Sequence, residues 1–267
     1  MRRNICAIIV WIALIGLIQA GVVIEMETKN LLSNRDEGIR KIFAQGEMLA
    51  MQDTDGKVMM IFRGDRMLVI DHRERSYMEI DEETMQEISG KMNDAMKQMK
   101  EQMANMPAAQ REMMERMMKG RMPAGMNMEP IKIRVEAGGR ETVEGYPCVK
   151  YSVYLNDEKS QELYATPLSN VAAASEAWDA FQAMARFTKK MMDSFSQGPM
   201  SQMMTSNPFG MLQEIDGFPV LTRSFQKGQA SEEGRLKSIT RESLDPSVFE
   251  PPSGYRKKSM RDAMRGK

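Results

Sequence analysis

Strict alternation of apolar and polar residues constrains this chain most, because only a β-strand buries every second side chain. The alternation begins at Gly21: Val22, Ile24, Met26 and Thr28 fall on one face, and Val23, Glu25, Glu27 and Lys29 on the other. The run Ile42 to Met51 carries Gly46 inside it, which predicts a bulge or bend within a strand. Asp55-Gly56 is a tight-hairpin signal, and Lys57 to Arg63 follows as a strand. Arg63-Gly64-Asp65-Arg66 turns into Met67 to Asp71, and His72-Arg73-Glu74-Arg75 turns into Ser76 to Ile80. These segments predict a meander of five short antiparallel strands.

The period then changes to that of a helix. Met85, Ile88, Met92, Met96, Met99, Met103 and Met106 form one stripe, with Lys91, Asp94, Lys97, Lys100 and Glu101 opposite and Asp81 as N-cap. A shorter segment from Ala108 to Lys119 carries Met113, Met114, Met117 and Met118, and Gly120 to Pro130 reads as a loop. Strands resume at Ile131 to Glu136, turn at Gly138-Gly139, and continue through Cys148 to Leu155 and Ser160 to Ala165. A second helical insert runs from about Val171 to Phe195, with Trp178, Phe181, Met184/Ala185, Thr188, Met191/Met192 and Phe195 on its apolar face. Two last strands lie near Phe218 to Gln226 and Arg235 to Arg241. The tetrads Glu144-Gly145-Tyr146-Pro147 and Asp216-Gly217-Phe218-Pro219 each precede a strand, and suit a turn that delivers the chain to a sheet edge.

About nine or ten strands is too much sheet to stay flat, and such a sheet curls. The expected fold is therefore α+β: a strongly curved antiparallel sheet, a half-open barrel, with two helical inserts at about residues 82–119 and 171–195 in or over its concave face. One such domain would occupy residues 21–255, followed by a basic solvated tail over 256–267.

The N-terminus explains residues 1–20. Arg2-Arg3 precede an apolar run from Ile5 to Ile18 and a small residue, Ala20, which together predict a secretory signal peptide. The alternative is an uncleaved anchor over Ile5 to Ile24, barely long enough to span a bilayer. Either way the remainder is expected to be exported to the periplasm. Cleavage would remove Cys6 and leave Cys148 as the one thiol, buried within an alternating run. Thirty-seven basic residues balance 37 acidic ones, which argues against a nucleic-acid partner. One histidine and two cysteines leave little metal or nucleophile chemistry, whereas 30 methionines demand an account.

The order of these segments carries a resemblance. Tyr77-Met78-Glu79-Ile80 leads into the methionine-rich helix, and Glu144-Gly145-Tyr146-Pro147-Cys148-Val149-Lys150-Tyr151 and Gly217-Phe218-Pro219-Val220 follow. The close is Phe249-Glu250-Pro251-Pro252-Ser253-Gly254-Tyr255. The chain resembles an uncharacterised family of exported, methionine-rich bacterial domains of unknown function. More distantly it is similar to the periplasmic lipoprotein-carrier superfamily. That resemblance covers most of residues 21–255 and implies a half-open barrel closed by helices, with acyl chains in the hollow.

Candidate sites follow from the apolar stripes. Methionine is unbranched and polarizable, so a methionine surface refits to different apolar shapes. Met92, Met96, Met99 and Met103 of the first insert, with Trp178, Phe181 and Met184 of the second, are the expected lining of a hydrophobic ligand site. The plainer alternative is that these stripes only pack against the sheet. The expected partner is a lipid or acyl-chain ligand, or an apolar segment of another envelope protein. A second possibility uses the same sulfurs: Met96, Met99, Met103 and Met106 as thioether ligands for Cu(I). Asp53-Thr54-Asp55-Gly56 lacks both the third ligand before the glycine and the later Glu of a calcium loop, and His72 reads as a surface residue in a turn. No phosphate loop, nucleophile elbow or readable carboxylate pair is present, so the sequence predicts a non-enzyme without cofactor.

Overall fold

Two meanders of antiparallel strands, joined along one central strand, make the sheet. The computed structural model describes residues 20–105, 107, 132–194, 214–259 and 262. The first meander is β1 (Ala20–Asn30), β2 (Arg35–Gln45), β3 (Met48–Gln52), β4 (Val58–Arg63), β5 (Arg66–Asp71) and β6 (Ser76–Asp81). Helix α1 (Glu82–Ala104) follows, and the chain re-enters the sheet at its far edge. The second meander is β7 (Ile133–Val143), β8 (Tyr146–Leu155) and β9 (Glu158–Thr166), then helix α2 (Ala174–Ser194), β10 (Phe218–Gln226) and β11 (Gln229–Ser243). A short β12 (Arg256–Lys258) completes a 12-stranded, curved and unclosed sheet in the order β12-β6-β5-β4-β3-β2-β1-β11-β10-β9-β8-β7. Every pairing is antiparallel except β12 on β6.

The expected half-barrel is therefore met in outline, with more strand and less helix than an even α+β mixture. The strand number exceeds the expected nine or ten for identifiable reasons. Gly46 is no bulge: with φ of +57° it sits in a tight turn that splits the predicted Ile42–Met51 strand into β2 and β3. The β2 strand also starts at Arg35, in a polar stretch that alternation does not mark. Gly138-Gly139 is the reverse case. It is a register shift inside β7, which runs on to the turn at Glu144-Gly145. The tetrads do not deliver the chain to an edge, because β8 and β10 are both interior strands. Pro219 is tolerated since the ladder to β11 begins only at Leu221.

Of the expected solvated tail over 256–267, the first three residues, Arg256–Lys258, instead pair with β6, and the preceding segment packs on the sheet. After β11 the chain folds back over the sheet face opposite the helices, where Leu244 and Phe249 are buried with Val23, Ala50, Ile61, Leu68 and Ile70. Tyr255 packs on this cluster, its hydroxyl 3.0 Å from His72 Nδ1, and Arg256–Lys258 pair with β6. His72 is thus half-buried against the C-terminal segment rather than free on the surface. Burial of apolar groups drives this, and the three basic residues stay at the rim, where Lys257 pairs with Glu79 and Lys258 with Glu74. The other edge, β7, is guarded differently: Arg134, Glu136, Arg140 and Glu141 and the glycine bulge make it a poor template for a further strand.

Asp81 caps α1 as expected, accepting from the Thr84 amide at 2.8 Å. The hydrogen bonds from the Thr84 hydroxyl and amide hold its carboxyl below the usual range. Met85 and Ile88 seat the first turns of α1 on Met67, Val69, Met78 and Ile80. No described helix is long and apolar enough to cross a membrane. The signal peptide prediction falls on residues 1–19, the end of the first insert on 108–131 and the end of the tail on 263–267, all outside the described residues.

Candidate functional site

The site is organised by α2. Its sheet-facing side is alanine: Ala174, Ala177 and Ala180 have no exposed surface, and Ala183 and Met184 extend the stripe. Small side chains let the helix sit close on Val22, Ile24, Ala44, Leu49 and Phe62. The aromatic pair Phe62–Phe187, centroids 5.3 Å apart, fills the end of this contact. Ion pairs fix both ends of the helix: Glu176 with Arg241 at 2.8 Å, Arg186 with Glu47 at 2.8 Å, and Lys190 with Glu82 of α1 at 2.5 Å. The space directly beneath α2 is therefore filled by the protein's own side chains.

Beside the helix the face is open. One groove of about 500 Å³ runs between Trp178, Phe181 and Ala185 on α2 and Leu168 and Ile215 on the facing segments. Ile215 is held in place because the Asp216 amide donates to the Tyr151 hydroxyl at 3.2 Å. A second groove of about 480 Å³ lies on the other flank, around Phe187. It is lined by Glu47, Asp65, Asp81, Glu82 and Glu83 with Arg186 and Lys190, so it is polar.

The strand register adds a feature that residue-by-residue reading misses. Ile42 faces Met51, Met51 faces Met60, Met60 faces Val69, and Val69 faces Met78. The row continues through Ile24 to Ile239. At about 4.8 Å per strand, Ile42 to Met78 spans about 19 Å of uninterrupted apolar surface on the helix-bearing face. The neighbouring row, Val22, Ala44, Leu49, Phe62, Met67 and Ile80, is almost wholly buried. In the first row Ile42, Met51, Val69 and Met78 are half-buried and Met60 is 39% exposed. The sequence does contain a signal for it: positions 42, 51, 60, 69 and 78 recur every nine residues.

The expected lining residues are placed as follows. Trp178 and Phe181 come together in the first groove. Met184 is 7% exposed and lies in the core between helix and sheet. Met92, Met96, Met99 and Met103 ride on α1, and their side chains lie outside the described residues, as does Met106. The Cu(I) set is therefore not described. Among the described residues no group of three or more His, Cys, Asp and Glu is arranged to hold a metal. Cys148 is buried, its thiol donates to the Tyr146 carbonyl at 3.3 Å, and burial pushes its pKa up.

The opposite face of the central strands carries charge instead. Register aligns Lys29, Glu233, Arg223 and Glu162 in one row of alternating sign. Glu233 and Glu162 are each 5% exposed. Burial alone would raise their pKa values. Arg223 and Arg235 at 2.6 and 2.7 Å outweigh it at Glu233, and Lys159 and Lys150 at 2.6 and 3.0 Å at Glu162, so both carboxyls lie below the usual range.

The chain is similar to the following known proteins. An uncharacterized conserved protein from Thermus thermophilus is 5% identical with a TM-score of 0.44, covering 90% of each chain. PNGF-II is 9% identical with a TM-score of 0.43, and the match covers 92% of this chain and 32% of that one. The Pseudomonas aeruginosa MucA/MucB complex is 10% identical with a TM-score of 0.35, covering 88% of this chain and 56% of the other. No curated protein sequence matches. A family model matches residues 82–255, from the first residue of α1 to the tyrosine that packs on His72, and by that match the chain belongs to the family called Domain of unknown function (DUF4412).

Proposed function

We propose that this protein is a non-enzymatic carrier or sensor that holds a lipid acyl chain, or a ligand of similar apolar character, on the helix-bearing face of its open sheet. The observation that carries the reading is the apolar row from Ile42 to Met78: Ile42 and Met51 pack against the α2 core, Val69 and Met78 against the first turns of α1, and Met60 lies exposed between them. Its span of about 19 Å is more than the roughly 15 Å thickness of one leaflet of a bilayer core. Three of its positions, Met51, Met60 and Met78, are methionine, a long flexible chain that adapts to a mobile hydrocarbon. Trp178 and Phe181 border the neighbouring groove and supply aromatic surface at low entropy cost. The working compartment on this reading is the periplasm, reached through the N-terminal signal.

The test uses the full chain and a pyrene-labelled long-chain fatty acid. Binding is expected to saturate at one probe per chain, and Met60→Asp is expected to weaken it about tenfold, since the charge would be desolvated. A folded protein that takes up no probe, and yields no lipid on solvent extraction, sinks this reading. A second reading is favoured by the filled space under α2. Here the same face docks an apolar segment of another envelope protein. That reading predicts no lipid uptake, and partner capture by wild type that Met60→Asp loses.

A further inference from the structure

We infer that Met60 is a methionine-oxidation site whose sulfoxide closes the apolar row to its ligand; the second half of this statement rests on the binding reading above. Among the methionines with described side chains, Met60 is the most exposed, at 39%. Met26, Met48, Met51, Met59, Met67 and Met78 are half-buried, and Met85 and Met184 are buried. Position matters as much as exposure. Met60 stands in the middle of the row, with Met51 directly opposite on β3 and Val69 directly opposite on β5.

The chemistry needs only a peroxide-class oxidant. The thioether sulfur attacks one peroxide oxygen, an S–O bond forms as the O–O bond breaks, and the proton passes to the departing hydroxide to give water. Sulfur loses two electrons and the peroxide gains them. The product replaces an apolar, flexible side chain by one with a strong hydrogen-bond acceptor. Covering that acceptor with hydrocarbon leaves it without a donor, because its cross-strand neighbours are a thioether and a valine. Oxidation would thus expel an apolar ligand without unfolding the sheet, and an enzyme of the sulfoxide-reducing class would restore the site.

The experiment treats the full chain with graded hydrogen peroxide and maps the oxygen added to each peptide by mass spectrometry. Met60 is expected to oxidise at least about threefold faster than Met51, Met67 and Met78, following exposure. Equal or slower oxidation overturns the assignment, whatever the fate of the binding reading. Affinity for the pyrene fatty acid is then compared before and after peroxide. The ratio is expected to fall about tenfold in wild type and to stay near one in Met60→Leu, whatever that variant's starting affinity. An equal fall in Met60→Leu overturns the link between oxidation and release. Wild type that never binds the probe fails the binding reading, while the peptide map still decides the modification site.

Discussion

Gly217 shows how single positions fix this fold. Its φ is +119°, and a Cβ there would stand 2.3 Å from the Thr166 carbonyl oxygen. Neither the backbone conformation nor the space admits a side chain. Gly217→Ala is expected to destabilise the protein by at least about 2 kcal/mol, read from urea unfolding. Gly46 also has positive φ, +57°, but nothing lies within 4 Å of a Cβ there, so Gly46→Ala is expected to cost only about 1 kcal/mol. If the two variants lose equal stability, the close approach at Thr166 is not what holds Gly217. Both glycines border the helix-bearing face, one beside the groove of Trp178 and the other at the turn into β3.

At the scale of elements, α2 and the buried charge row make the clearest predictions. Ala180 has no exposed surface between helix and sheet, so Ala180→Leu must lift the helix or distort the sheet. A loss of about 1–3 kcal/mol is expected in thermal unfolding. Glu162 and Glu233 predict a pH dependence. Their folded pKa values lie below those of the unfolded chain, so their contribution is full at neutral pH. It is lost as pH falls below the ordinary glutamate value, about 4.3, toward the folded value. Glu233→Gln is expected to flatten that acid limb, measured by unfolding midpoints from neutral pH down to strong acid. An unchanged limb would mean the row is not what titrates. These elements also show what the sequence made legible. Hairpin turns at Gly56 and Gly64 and the cap at Asp81 announce themselves, because φ > 0 and an orphan helix amide each demand particular residues. The packing face of α2 is harder to read. The large residues Trp178 and Phe181 mark an apolar side, yet the alanines carry the closest packing, and small size is a weak hydrophobic signal. The row through Met60 is hidden for another reason. It is a property of register, and register follows from turn lengths that alternation alone leaves open.

For the whole molecule, two apolar surfaces on opposite faces of one sheet are covered by different means. The helix-bearing face is covered by α2 and the start of α1, and the opposite face by the C-terminal segment from Leu244 to Tyr255. That segment is therefore part of the core and not an appendage. Phe249 is 1% exposed, and Phe249→Ala is expected to cost about 3–5 kcal/mol in urea unfolding, with loss confined to stability and not to fatty-acid uptake on the other face. Equal loss of uptake at temperatures where the variant is folded would show that the faces are coupled. The position of β1 has a consequence in time. Its residues Ala20–Asn30 pair on one side with β2, close in sequence, and on the other with β11, so that Ala20 meets Ser243. Strand β1 is thus the hinge pin between two halves, and its second neighbour is made only after β2 to β10 have been synthesised. High contact order of this kind slows folding, and a chain released or trapped before residue 229 leaves β1 with an open ladder inviting the wrong mate.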